Sequence, residues 1–395
     1  MKRLRAPFAS NWRWLLPASL AAVALLWLLV YRLGSLVGGL SAAEYVTAIR
    51  PVGWHGIYDQ AFYLPLNLVR SIDFALFTGH GQTLTRLPNT LFGLAAIISF
   101  VWLVRIWHGR RTALFAGCLF AAGAWTLHVS RLATFDVLYF WALPTLLLAH
   151  TELQRHSRKA WAWYGSLLLW GLLIYIPGLI WLVLVNIWWQ RAAIADGWRH
   201  FKRWWQRLAY LALGLIWLPL LGLHLSRPGK LLTWLGWPAD LAAPLTLLKD
   251  FAAVFLHLFI RGPEYPQLWL GRAPILDIFT LAACLIGIYF YATHRRAARS
   301  RLLATCFGIG VILVALGGPV SLSLLVPLLY LVAATGVAYL MREWLQVFPV
   351  NPLARNIGLG LIIAAVSLAC LYNLRAYFIA WPHNQVTQTV FRYHL

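Results

Sequence analysis

The chain is built of long apolar runs separated by short polar punctuation. A hydrocarbon core of about 30 Å takes ~20 residues of helix at 1.5 Å each. Runs approaching that length cover residues 14–31, 89–107, 113–129, 135–153, 161–175, 178–189, 208–225, 275–293, 302–316, 321–340 and 357–372. This pattern predicts an all-α polytopic membrane protein of about eleven transmembrane helices, folded as one domain over 1–395. The first run follows Met-Lys-Arg-Leu-Arg but has no convincing small-x-small cleavage site, so we expect an uncleaved helix.

The stretch 161–189 decides the orientation of everything after it. As one helix kinked at Pro177, it would put Arg191, Arg199, Lys202, Arg203 and Arg207 on the outer face. As two helices meeting at Tyr175-Ile-Pro-Gly178, it keeps these cations in the cytoplasm, in line with the positive-inside rule. With two helices, the cytoplasmic segments hold 21 of the 33 Lys and Arg and the acids Glu152, Asp196 and Glu343, whereas the other face holds eight acids. The expectation is a multi-pass protein of the cell (plasma or inner) membrane, with a cytoplasmic N-terminus and an external C-terminus.

Composition supports a lipid environment. Of the 395 residues 61% are hydrophobic and 11% charged, too much apolar surface for a single soluble core. The net charge of +22 is spread over short loop clusters, which argues for topology and against nucleic acid as a partner. Cys118, Cys284, Cys306 and Cys370 stand alone in apolar runs and imply neither a zinc site nor a disulfide framework. The lone Gly-x-Gly pairs lack a strand-turn-helix context, and no P-loop is present, so ATP is not expected as a direct substrate.

On this topology two external segments stand out by length, 32–88 (the first external loop) and 226–274 (the fourth). Each carries a broken apolar stretch, 62–77 and 241–260, expected to lie along the membrane interface. Acids on that face are the candidates for chemistry. Glu44 follows the first run closely. Asp59 sits between aromatics, with His55 and Tyr58 as neighbours that could carry a proton. Asp136 opens the fourth run, where helix capping and pairing with Arg131 are as reasonable as catalysis. Arg86, Arg131, Arg227 and Lys230 are external cations that could meet a phosphate, or could snorkel to lipid headgroups like ordinary interfacial arginines.

The segment from Arg86 onward carries three motifs in order. Arg86, Pro88, Asn89 and Gly93 belong to R-x-P-[SN]-x-L-x-G; Gly109, Arg110 and Arg111 form a short basic turn; Ser130, Arg131, Ala133 and Asp136 form S-R-x-A-x-x-D. This region resembles the second to fourth helices of GT-C superfamily membrane glycosyltransferases of the protein-O-mannosyltransferase and aminoarabinose-transferase type, family 39-like. A late P-L-L-Y-L-x-A-A-x-G helix, Pro327 to Gly336, matches as well.

The resemblance implies inverting transfer of a sugar from a polyprenyl-phosphate donor to an acceptor on the outer face, be it protein, lipid or glycan. A carboxylate of the first external loop would be the general base, and cations would steady the leaving phosphate. The family pattern there is Asp-Glu, but this chain has Ala43-Glu44, so only the second acid carries over. Glu44 is then the expected base, with Asp59 the alternative. Arg131 and Asp136 would line the same cavity, and Gly317-Gly318-Pro319 stands where a late Arg often precedes the P-x-L helix. The resemblance leaves a divalent metal open, and no cluster has ligand spacing that decides it. The competing readings are a non-catalytic scaffold derived from the enzyme and a transporter or flippase of lipid-linked saccharide. The second is disfavoured by the absence of an internal repeat and by polar residues gathered at one face.

Overall fold

The computed structural model describes residues 12–49, 61–77, 81–201, 204–264 and 272–394. Asp59, with His55 and Tyr58, lies outside the described residues.

Every predicted run falls on a helix or a pair of helices. The N-terminal part holds α1 (Trp12–Val30), α2 (Ala42–Ile49), α3 (Leu64–Leu76), α4 (Gln82–His108), α5 (Arg110–Ala122), α6 (Ala124–Arg131) and α7 (Asp136–Arg155). The middle holds α8 (Ala160–Leu173), α9 (Leu179–His200), α10 (Trp204–Leu215), α11 (Leu218–Ser226), α12 (Lys230–Trp234) and α13 (Pro244–Phe259). The last part holds α14 (Ile278–Thr293), α15 (Ala298–Ala315), α16 (Val326–Val347), α17 (Pro352–Arg375) and α18 (Gln385–Val390). Among the described residues there is no strand, and the fold is that of an all-α membrane protein. By length and composition four helical stretches could each cross a bilayer: Gln82–His108, Ala298–Ala315, Leu322–Val347 and Pro352–Ala380. The pair α5 and α6, bent by 60°, would make a fifth.

Two runs are interrupted where a single helix was expected. The run 113–129 breaks at Gly123, whose backbone turns extended (φ −55°, ψ 130°) and where the lack of a Cβ leaves room for the Tyr330 hydroxyl, 2.6 Å from where one would stand. The run 208–225 breaks between α10 and α11, with Pro219 in the first turn of the second helix. The stretch 161–189 is two helices. Gly178 takes the left-handed conformation (φ 80°) after Pro177, and the Trp163 indole donates to the Ile194 carbonyl at 3.2 Å, so α8 and α9 run antiparallel.

Successive runs alternate between two ends. One end gathers the loops: Tyr63 N–H donates to the Tyr175 carbonyl (2.9 Å), Gly178 N–H to Trp234 (2.8 Å), and Leu40 pairs with Tyr393 in a two-bond bridge. The opposite end gathers Trp107 on Thr151, Arg158 on Asp196, and the Arg299 guanidinium over the Trp107 ring.

Between the ends, the core joins α4, α5, α7 and α16 through an aromatic stack. Phe120 stacks on Phe100 at 4.1 Å and on Phe140 at 5.1 Å, with Tyr330 edge-on at 5.2 Å. Lipid tails are as apolar as these side chains, so close packing and not water exclusion must hold such helices together. The tightest crossing is α14 on α16: an added Cβ on Gly336 would stand 1.9 Å from the Ala283 carbonyl, and one on Gly287 2.0 Å from that of Val332.

Candidate functional site

The site grows from the start of α2. Ser41 and Glu44 form a reciprocal cap: Ser41 N–H donates to Glu44 Oε2 at 2.9 Å, and Glu44 N–H donates to Ser41 Oγ at 3.3 Å. This cap aims the Glu44 carboxylate at α4, where Arg86 meets it with Nε to Oε1 at 2.9 Å and Nη2 to Oε2 at 3.1 Å. Ala133 N–H, in the α6–α7 connection, adds a further bond to Oε1 at 2.9 Å. Burial raises the pKa of Glu44, but the Arg86 charge and the hydrogen bonds from Arg86, Ser41 and Ala133 outweigh it and hold the carboxylate below its ordinary value. Glu44 is fully buried and Arg86 is 2% exposed.

Arg86 spends its remaining donors on the backbone, Nη1 to Leu33 and Nη2 to Gly39, each at 2.9 Å. One guanidinium therefore ties α4 to the chain leaving α1 and to α2. Gly93, one motif position further along α4, lets the helix touch α6: an added Cβ would stand 2.3 Å from Ser130. The spacing of the motifs thus has a packing counterpart in this chain, Gly93 of the first against Ser130 of the third.

Arg131 is also engaged. Its Nη1 donates to Leu28 at 3.1 Å and Nη2 to Tyr31, the last carbonyls of α1, and it lies over the Phe378 and Tyr377 rings at 4.9 and 5.3 Å. It does not pair with Asp136. The Asp136 side chain opens α7, is partly exposed, and forms no ion pair or hydrogen bond among the described residues. Its charge acts on Tyr63, whose phenol is pushed up first by burial and then by Asp136, against the neighbouring Tyr139 hydroxyl. Tyr63 itself has φ 62°, a left-handed conformation uncommon for an aromatic residue, and its ring stacks on Phe135 at 4.2 Å.

Arg70, which the sequence reading did not single out, and Asn89 of the first motif complete the cluster. Arg70 of α3 donates from Nη2 to Asn89 Oδ1 and to the Ala133 carbonyl, both at 3.1 Å, and lies 5.2 Å from the Phe135 ring centre. Burial lowers its pKa to about 10, with Glu44 opposing. Asn89 in turn donates to the Thr134 carbonyl. The signal was present in the sequence: Arg70 interrupts the apolar stretch 62–77, and a cation at such a place needs acceptors.

Arg227 and Lys230 stand apart from this cluster, exposed at the end of α11 and the start of α12. They share its end of the molecule, because Trp234 of α12 donates its indole N–H to Ile174 at 2.8 Å beside the 175–178 turn. Among the described residues no group of three His, Cys, Asp or Glu side chains could hold a metal ion.

No protein-family model and no curated protein matches the sequence. Solved structures do. ArnT from Cupriavidus metallidurans in the apo state superposes with TM-score 0.57 at 14% identity, over 97% of this chain and 78% of that one. The same protein bound to undecaprenyl phosphate superposes with TM-score 0.54 at 14% identity, over 97% and 77%. The chain therefore shares the fold of ArnT, an all-α membrane-protein fold.

Proposed function

We propose that this protein transfers a sugar from a polyprenyl-phosphate carrier to an acceptor at the end of the molecule that bears Glu44 and Asp136, taken as the non-cytoplasmic face. The observation that carries the reading is an unengaged carboxylate, Asp136, on a frame already fixed by the Glu44–Arg86 pair, within a fold shared with ArnT over nearly the whole chain. The ArnT structure with undecaprenyl phosphate supports a polyprenyl-phosphate partner and a membrane setting. The alternation of eleven runs between two ends, with Leu40 paired to Tyr393, supports eleven crossings and termini on opposite faces. On this reading α3 and α13 lie along the interface.

In the transfer, an acceptor hydroxyl loses its proton to a carboxylate as its oxygen bonds the anomeric carbon from behind. The bond from that carbon to the phosphate oxygen breaks, the configuration inverts, and polyprenyl phosphate leaves. A positioned base contributes roughly 10²- to 10⁴-fold. Glu44, expected from the resemblance, is buried beneath four donor contacts, so its role on this reading is to hold Arg86 and the α6–α7 connection in place. The proton then goes to Asp136, with Asp59 next in line. Arg86 and Arg131 act through the backbone carbonyls they bind, and the exposed Arg227 and Lys230 are the cations that would meet the phosphate.

A second reading, a non-catalytic relative, is favoured by one specific residue, Ala43 where the family pattern has Asp. Transfer of radiolabelled sugar from polyprenyl-phosphate donors, in membranes carrying the wild type, D136N, E44Q or D59N, separates these. Transfer lost in D136N while the protein stays folded supports the assignment. Transfer retained in D136N but lost in D59N moves the base to Asp59. No transfer by wild type across donors, with lipid bound, favours the non-catalytic relative.

A further inference from the structure

At the end opposite Glu44, a cavity of about 250 Å³ opens between the start of α5, the last turns of α16 and the first turns of α17. Its polar lining is Arg111, Arg355 and Asn356; its apolar wall includes Met341, Leu359 and Ile362. The Trp344 indole lies flat against α17, donating to the Ala354 carbonyl at 2.8 Å, and an added Cβ on Gly358 would stand 2.2 Å from it. That contact keeps the wall in place.

Arg111 and Arg355 come from elements more than two hundred residues apart, and neither forms an ion pair or side-chain hydrogen bond among the described residues. No carboxylate lines the cavity. Two exposed guanidiniums and an amide lining one cavity without an acid make an acceptor-rich anion the matching ligand. The apolar wall beside these groups, with Met341, Leu345, Leu359 and Ile362 along α16 and α17, matches a hydrocarbon attached to that anion.

We propose that this cavity binds the phosphate of an anionic phospholipid, with its acyl chains along α17. The site is independent of the sugar-transfer chemistry and sits at the far end of the helices from Glu44. Two arginines closing on one phosphate should raise lipid affinity roughly tenfold or more over a surface with dispersed charge.

The test uses the purified full chain in detergent and native mass spectrometry of bound lipid. The probes are dioleoylphosphatidylglycerol and dioleoylphosphatidylcholine, with inorganic phosphate as competitor. The variants are R111Q/R355Q and, as a charge-matched control at the same end, R295Q/R296Q. We expect wild type and control to prefer phosphatidylglycerol, and R111Q/R355Q to lose that preference by roughly tenfold. Equal retention of both lipids by wild type, a comparison that needs no variant, would overturn the proposal. So would an equal loss in both double variants, which assigns the effect to general surface charge. Displacement of the lipid by millimolar phosphate would instead assign a site for free anions.

Discussion

Glu44 and Arg86 illustrate what a buried ion pair does at the scale of one residue. Removing one partner leaves the other charge without water or counterion, a cost of about 3–5 kcal/mol. Glu44→Ala is therefore expected to lower the thermal unfolding temperature in detergent sharply, whereas Asp136→Asn, which breaks no contact, should leave it unchanged. The pH dependence has a definite sign. Because the folded pKa of Glu44 lies below its ordinary 4.5, its contribution to stability is complete above pH 4.5 and is lost as the pH falls further, through the folded value. Thermal unfolding midpoints of wild type and Glu44→Gln, measured across pH, should accordingly differ most at neutral pH and converge at the acid end. Part of this was legible: Ser-Ala-Ala-Glu at 41–44 is a helix-start signature, S-x-x-E, so Glu44 could be read as a capping residue. The remainder was not, because Ala133 and Arg86 reach Glu44 only through a fold that joins residues 42 and 89 positions apart.

At the scale of elements, apolar length places the helices well and says little about where they bend. The broken stretches 62–77 and 241–260 fall on α3 and α13, and the Pro177-Gly178 signal correctly separates α8 from α9. The bend at Gly123 has no proline to announce it, and its glycine makes room for a tyrosine hydroxyl more than two hundred residues away. Glycines at crossings are likewise silent in one sequence until their neighbours are known. Gly336→Val would force a side chain against the Ala283 backbone, and overpacking of this kind costs about 1–3 kcal/mol. Gly360→Val, on the same kind of helix but facing open space, should cost little. Comparing the thermal stability of the two variants checks whether close approach, and not helix propensity, holds α14 on α16.

For the molecule as a whole, the Leu40–Tyr393 bridge closes the chain on itself, and the Tyr45 and Tyr393 rings meet at 5.4 Å. The segment after α18 thus braces the backbone that offers Gly39 to Arg86. Truncation after Val390 should speed hydrogen exchange at residues 39–45 while leaving α14 and α16 protected, as measured by mass spectrometry. The hydropathy pattern could not show this brace, since two backbone bonds leave no mark on composition.

The grip of Arg131 on the last carbonyls of α1 also has a consequence for biogenesis. A helix made early is finished by a side chain made about a hundred residues later. At ~5–20 residues per second, the exit end of α1 goes some seconds without its cap. Assembly at that end is thereby ordered: the hairpin of α4 to α6 must be in the membrane before the first helix is locked.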